Sequence, residues 1–496
     1  MILMKIGFDN EKYLQMQSEH IRERIGQFDD KLYLEFGGKL FDDFHASRVL
    51  PGFAPDSKLR LLKQLSDQAE IVIVISAKDI EKNKVRGDLG ITYDLDVLRL
   101  MDSFRNNGLF VGSVTITQFS GQESALLFKR KLEKLGIRTY IHYNIPGYPS
   151  NIPLIVSEEG FGKNEYIETS RPLVIITAPG PGSGKMATCL SQLYHDHKKG
   201  IQAGYAKFET FPIWSIPLAH PVNVAYEAAT ADLNDVNMID PFHLEAYGKT
   251  AINYNRDIEI FPVLNSMLKQ ILGKSPYNSP TNMGVNMAGF GIADDEAVKE
   301  AAKLEIIRRY YGALVNVRQG MSDSDEVSKI ELLMNQVGIK PSDRKVIAAA
   351  NEKAELTGSP ATAIELPDGR IITGKTSSLL GASSSMLLNC LKELAGIPDD
   401  IELISHNIIE PIQNLKTDVL GNHNPRLHTD EVLLALSICA VTNDVAKKAL
   451  EQAPKLFGLE AHSSVILSRV DEQVFKKLGV NMTFEPKYQT KKLYHT

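Results

Sequence analysis

Over its first 220 residues the chain alternates short apolar runs with amphipathic ones. The runs at 31–36, 71–75, 112–117, 138–142, 154–156 and 173–177 are rich in β-branched or aromatic residues and predict strands. Between them, 57–68 places Leu59, Leu61, Leu62 and Leu65 on one broad helical face, and the helix expected over 122–135 stops at Gly136. Strands alternating with helices predict a mostly parallel sheet covered on both faces.

The pattern breaks at 211–221, where FPIWSIPLAHP carries three prolines and suits neither a central strand nor a helix interior. The next stretch reads as helical. Leu304, Ile307, Tyr311, Leu314 and Val315 recur at helical spacing in 297–315, and 257–272 and 341–356 behave alike. A polar, glycine-containing loop occupies 276–291. The last third predicts a hairpin (363–366 and 370–374 around Pro367-Asp368-Gly369) and a helix over 384–394 ending at Gly396. A strand at 401–404, helices at 430–440 and 444–451, a strand at 465–467, a helix at 472–478 and a strand at 481–484 follow. The expected fold class is α/β in three domains. These are an N-terminal, mostly parallel Rossmann-like or P-loop-like sheet (1–221), a helical middle (222–358) and a C-terminal α/β part (359–496) with a deaminase-like layout but no zinc ligands.

Composition narrows the function classes. The chain has 496 residues, 43% hydrophobic and 23% charged, with 55 Lys+Arg against 61 Asp+Glu. A net charge of −6 lacks the basic excess of a general nucleic-acid binder. No window approaches a membrane span, and the first ten residues carry too short an apolar run for a signal peptide. Cys189, Cys390 and Cys439 lie far apart and form neither a disulfide framework nor a zinc pattern, so a reduced, cytoplasmic protein is expected.

The strongest chemical signal is Leu173-Val-Ile-Ile-Thr177 running into Ala178-Pro-Gly-Pro-Gly-Ser-Gly-Lys185 and then an expected helix, 186–194. Glycines let successive backbone N–H groups converge on an anion, the helix N-terminus adds partial positive charge, and a lysine reaches outer phosphate oxygens. The expected cradle is Gly180, Gly182, Ser183, Gly184, Lys185, Met186, Ala187 and Thr188. The match to a phosphate-loop consensus is imperfect: Pro179 stands where it has glycine, and Met186 where it has the Mg²⁺-binding hydroxyl. Thr188 and Asp240 are the residues available for Mg²⁺, and Lys185 and Asp240 the catalytic candidates. The plain alternative is a Gly/Pro turn with Lys185 in solvent.

Downstream, 227–257 is dense in Asp, Asn, Glu and His, among them Asp232, Asp235, Asp240, His243, Arg256 and Asp257. Carboxylates near phosphates hold Mg²⁺, but Asp and Asn also cap helices, and Asp240-Pro241 reads as a helix entry. His220 fits a loop hydrogen bond better than a ligand role, and Trp214 fits a packing anchor. The segment 277–286 suits a substrate lid or a plain connection equally.

In the C-terminal third, Gly381-Ala-Ser-Ser-Ser385 offers a second anion site at a helix start, against ordinary serine capping, which is favoured. The zinc-deaminase signature is absent, His406, His423 and His428 fit no ligand spacing, and Ser384 lacks an identifiable base, so neither a metal site nor a serine nucleophile is expected in this third.

Three runs carry a family resemblance: TAPGPGSGKMATCLSQLYHD (177–196), EAATADLNDVNMIDPFHLEAYGKTAINYNRDIEIFPVL (227–264) and LEFGGKLFDDFHASRVLPGF (34–53). Together they resemble bacterial uncharacterised protein family 0371, or domain of unknown function 1846, over nearly the whole chain. The resemblance implies a bacterial cytosolic homo-oligomer, α/β at both ends and helical between, and supplies no catalytic residue. The residues themselves predict an enzyme that binds a nucleotide (ATP, with Mg²⁺) or a phosphometabolite, a small-molecule substrate rather than nucleic acid or membrane. The alternatives are a metal-independent enzyme with a static anion clamp, its acid–base groups in 227–257, and a non-catalytic ligand-binding oligomer.

Overall fold

The structure is a computed structural model that describes residues 6–28, 31–38, 40–41, 43–87 and 89–489. It contains two compact units, Ile6–Ala302 and 303–489. The first is built on a seven-stranded sheet of β1 (Leu32–Phe36), β2 (Ala69–Ser76), β3 (Phe110–Phe119), β4 (Arg138–Tyr143), β5 (Leu173–Thr177), β6 (Gly204–Phe208) and β7 (Gly284–Val285), in the order β7-β6-β1-β5-β2-β3-β4. Every pair is parallel. β5 sits at the centre with all five side chains buried, which its unbroken apolar run requires of a strand covered on both faces.

On one face, helices α1 (Lys185–Lys198) and α2 (Asn255–Leu272) close the core. Tyr33, Val72, Val74, Val174, Ile176 and Tyr205 from the strands meet Cys189, Leu190 and Leu193 of α1 and Phe261, Leu264, Leu268 and Ile271 of α2. Each fully buried aliphatic side chain contributes about 1.5–3 kcal/mol.

The expected division at 221/222 and 358/359 does not coincide with the two units. Residues 222–302 stand with the sheet because α2 shares its core and β7 extends its edge. The helix Lys345–Thr357 stands with the second unit, where Val346 and Ala350 pack on Ala363.

The expected strand at 154–156 is instead a helical turn, Ile152–Ile155, with Asn151 as its cap and Pro153 in its first turn. The pattern also missed β6, whose sequence GYAKF mixes small, polar and aromatic residues.

The second unit carries a four-stranded sheet, β8 (Ala361–Glu365), β9 (Ile371–Lys375), β10 (Glu460–Ser463) and β11 (Asn481–Phe484), in the order β9-β8-β10-β11. The hairpin β8–β9 stands as expected, and β10–β11 is a parallel pair. Helices α3 (Ala382–Ala395), α4 (Thr429–Cys439) and α5 (Arg469–Leu478) pack around a core of Met386, Leu387, Leu391, Val432, Leu436 and Phe475. The strand expected at 401–404 is irregular, and that expected at 465–467 lies earlier, at β10.

Candidate functional site

The chain leaves β5 toward β6, passing β1, and leaves β2 in the opposite direction toward β3. Connections that diverge from neighbouring parallel strands open a crevice at their carboxyl ends, where ligands of such sheets bind. The loop 178–184 occupies this crevice.

Its carbonyls are held by side chains. Ser183 Oγ donates to Gly180 O (2.9 Å), Thr117 Oγ1 to Ser183 O (2.6 Å), and Gln118 Nε2 to Gly182 O (2.9 Å). Two glycines adopt positive φ, Gly182 at 74° and Gly184 at 86°, a region that favours glycine. At Gly180 a Cβ would stand 2.2 Å from Tyr93 Oη, so only glycine fits without displacement.

With the carbonyls anchored, the amides are left over. Among the described residues, no protein acceptor takes the N–H of Gly182, Ser183, Gly184, Lys185, Met186 or Ala187, and α1 begins without a side-chain cap. Unpaired N–H groups at a helix start beside a lysine are the arrangement in which a backbone can take an anion.

A second set of groups stands at the same edge, on the face covered by α1 and α2. Glu35 on β1 accepts from Tyr205 Oη at 2.8 Å. Lys207, paired in register with Glu35, contacts Asp257 and the Tyr254 hydroxyl and lies 3.0 Å from Glu209. Burial disfavours the Lys207 ammonium, but Asp257, Tyr254, Glu209 and Glu35 outweigh it and raise the pKa well above the usual lysine value. Burial pushes the Glu209 carboxyl up to about 8, and Asp257 adds to the rise. Cys189 connects the two sets. Burial and then Glu35 push its thiol up, while Lys185 pulls it down.

Loop residues 180–188 are therefore contiguous, but Thr188 is fully buried, its hydroxyl without a protein partner. Asp240 caps the helix Pro241–Tyr247 through His243 N (3.0 Å) and accepts from Thr281 N (3.2 Å) and Oγ1 (2.7 Å). The Thr188 hydroxyl is unpaired but wholly buried, both Asp240 oxygens already accept hydrogen bonds, and Met186 offers no oxygen ligand in its side chain. Asp235 pairs with Arg256 at 2.6 Å. His220 bonds Asp295 at 3.0 Å, and the Trp214 indole donates to Asn286 O at 2.8 Å. Within 277–286, Ser279 caps a helical turn and Thr281 holds Asp240, which makes this segment a bonded connection.

Lys207 and Glu209 escaped the sequence reading. Tyr205, Lys207 and Glu209 alternate along one face into the end of a buried strand, and charge at such positions is the signal that would have exposed them.

Two family profiles together cover most of the chain. Residues 6–338 match "Domain of unknown function DUF1846, N-terminal", and residues 342–494 match its C-terminal counterpart. A "UPF0371 protein" of Streptococcus thermophilus is 60% identical over 492 residues, which is 99% of this chain and 100% of the relative. With the same coverage, relatives from Streptococcus sanguinis and Streptococcus pneumoniae are 59% and 58% identical. Among the described residues no helix is long and apolar enough to cross a membrane.

Proposed function

The chain belongs to the UPF0371 (DUF1846) family, and from that premise we propose that it is an enzyme acting on a small phosphate-bearing metabolite without a metal ion. In this reading the loop from Gly180 to Ala187 clamps the phosphate. Lys185 neutralises its charge, and the Lys207–Glu209–Asp257–Tyr254 group works on the rest of the molecule. The observation that carries the reading is the run of six loop amides without a protein acceptor beside a lysine with no ion-pair partner among the described residues. Glu209 holds a proton near neutral pH and can donate it, while Lys207 stays cationic and fixes the adjacent carboxylates. Two groups of opposite proton demand beside one anion cradle suit general acid–base chemistry.

The second reading is a nucleotide enzyme using ATP and Mg²⁺, which the order strand, glycine loop, lysine and helix favours. The placement of Thr188 and Asp240 weighs against it.

Thermal stabilisation of wild type and Lys185→Ala by inorganic phosphate and by ATP, each with and without Mg²⁺, separates the readings. A ligand at about 100 times its Kd adds roughly 2.7 kcal/mol of stability. The clamp predicts stabilisation by phosphate alone, reduced in the variant by the share that the sheet-edge loop supplies. A shift only with Mg-ATP replaces the clamp by the nucleotide reading. No shift with either ligand overturns both.

A further inference from the structure

The second unit contains a small, partly open cavity of about 70 Å³ at the N-terminus of α3. The first amides of α3 are buried there. Ala382, Ser383 and Ser384 are 5%, 2% and 0% exposed, and the cap residue Gly381 supplies no side chain to accept from them. Among the described residues no protein acceptor takes these three N–H groups. The serine capping expected from the sequence does not occur, since Ser384 Oγ donates instead to Leu427 O at 2.9 Å. A helix start of 14 residues, buried and uncapped, carries a desolvation cost unless something from outside the chain accepts its hydrogen bonds.

The side chains lining the cavity match that need. Ser383, itself 2% exposed, lines it with a hydroxyl that bonds nothing in the protein among the described residues. Arg426 donates Nε to Ser377 O at 2.7 Å, and the rest of its guanidinium has no protein partner among the described residues. His428 engages Asp471 through Nδ1 at 3.0 Å, and its Nε2 has no protein partner among the described residues. Asp471, the acid at this wall, is itself occupied. It accepts from Thr429 N (2.8 Å), Thr429 Oγ1 (2.9 Å) and Ser468 Oγ (2.8 Å) as well as from His428. The hydrogen bond from His428 to Asp471 raises the imidazole pKa, so the ring tends toward its cationic form.

We propose that this cavity is a second anion site, separate from the sheet-edge crevice, that takes the phosphate group of a small molecule on the amides of Ala382, Ser383 and Ser384, the Ser383 hydroxyl, Arg426 and His428. Three convergent amides, a hydroxyl and two basic side chains suit the three outer oxygens of a phosphate monoester or of free phosphate.

The test uses the full chain carrying Lys185→Ala, so that the sheet-edge loop is weakened and the cavity is read by itself. Titration calorimetry with inorganic phosphate and with glycerol 3-phosphate should give one site per chain, and the tighter ligand identifies free phosphate or a monoester as the source. Adding Arg426→Gln or Ser383→Ala should raise Kd about tenfold, as loss of a charge-assisted or buried hydrogen bond does. Ser383→Ala breaks no side-chain bond among the described residues, so it guards against misfolding as the cause. Crystals grown with tungstate should show the anion at the start of α3. Absence of binding in the Lys185→Ala background overturns the proposal, as does an affinity indifferent to both substitutions, or tungstate bound only elsewhere. None of these failures touches the sheet-edge reading, which rests on Lys185.

Discussion

The Thr117 hydroxyl donates to the carbonyl of Ser183 at 2.6 Å, so a strand two places away from β5 holds the shape of the glycine loop. This bond and that of Gln118 to Gly182 O fix carbonyls that would otherwise be free to turn into the crevice and repel an anion. Thr117→Val keeps the side-chain shape and removes the donor. The expected result is a stability loss of about 0.5–1.5 kcal/mol with a several-fold weaker phosphate affinity, measured by denaturant unfolding and by calorimetry. An unchanged affinity would show that the loop holds its shape unaided.

Gly180 and Tyr93 are fitted to one another. A Cβ at Gly180 meets Tyr93 Oη at 2.2 Å and Cζ at 2.7 Å, so Gly180→Ala is expected to cost about 1–3 kcal/mol of stability through overpacking. Tyr93→Phe removes the nearest atom, and the double variant should recover part of that loss. A double-mutant cycle checks this, and strictly additive effects would disprove the contact as the cause.

The raised carboxyl of Glu209 makes stability depend on pH with a defined sign. Its pKa rises from 4.5 to about 8 on folding, mainly through burial, so the folded state binds the proton more tightly than the unfolded state. Its contribution is complete below pH 4.5 and is lost as pH climbs through about 8. Unfolding free energies across pH 4–9 should therefore decline more steeply in wild type than in Glu209→Gln. Parallel curves for the two proteins would refute a protonated Glu209.

Lys185 and Asp240 should separate cleanly. Lys185→Ala is expected to abolish anion binding at the sheet edge with a stability change within about 0.5 kcal/mol, as for a side chain without ion-pair partners among the described residues. Asp240→Ala should leave that binding intact and lower stability by about 1–2 kcal/mol, because it removes a helix cap and the acceptor of Thr281. Thermal unfolding with and without phosphate reads both effects. The opposite pattern would return Asp240 to the chemistry.

The legible parts of the sequence were those where local chemistry and tertiary role agree. Leu173–Thr177 is apolar throughout because it is central, and the Gly/Pro loop with its lysine announces the turn that follows. The family resemblance carried by the three long runs is likewise matched by the two profiles and the streptococcal relatives. Errors fell on short apolar runs such as Ile152–Ile155, where length and periodicity cannot separate a strand from a helical turn. Lys207 and Glu209 were hidden for another reason. The Lys207 charge is balanced by Glu35, Asp257 and Tyr254, residues distant in sequence that no local pattern connects. Asp240 was legible as both a cap and a ligand, and only Thr281, 41 residues on, shows where its lone pairs go.

The loop amides have a consequence for observing the protein. Protons on Gly182 through Ala187 have no internal acceptor among the described residues, so they should exchange with deuterated solvent far faster than those of the buried strand immediately before them. Any anion seated on the cradle would supply the missing acceptor and slow their exchange. The six residues thus form an isotopic gauge of occupancy, readable by mass spectrometry on a single peptide for ligands whose other chemistry is unknown.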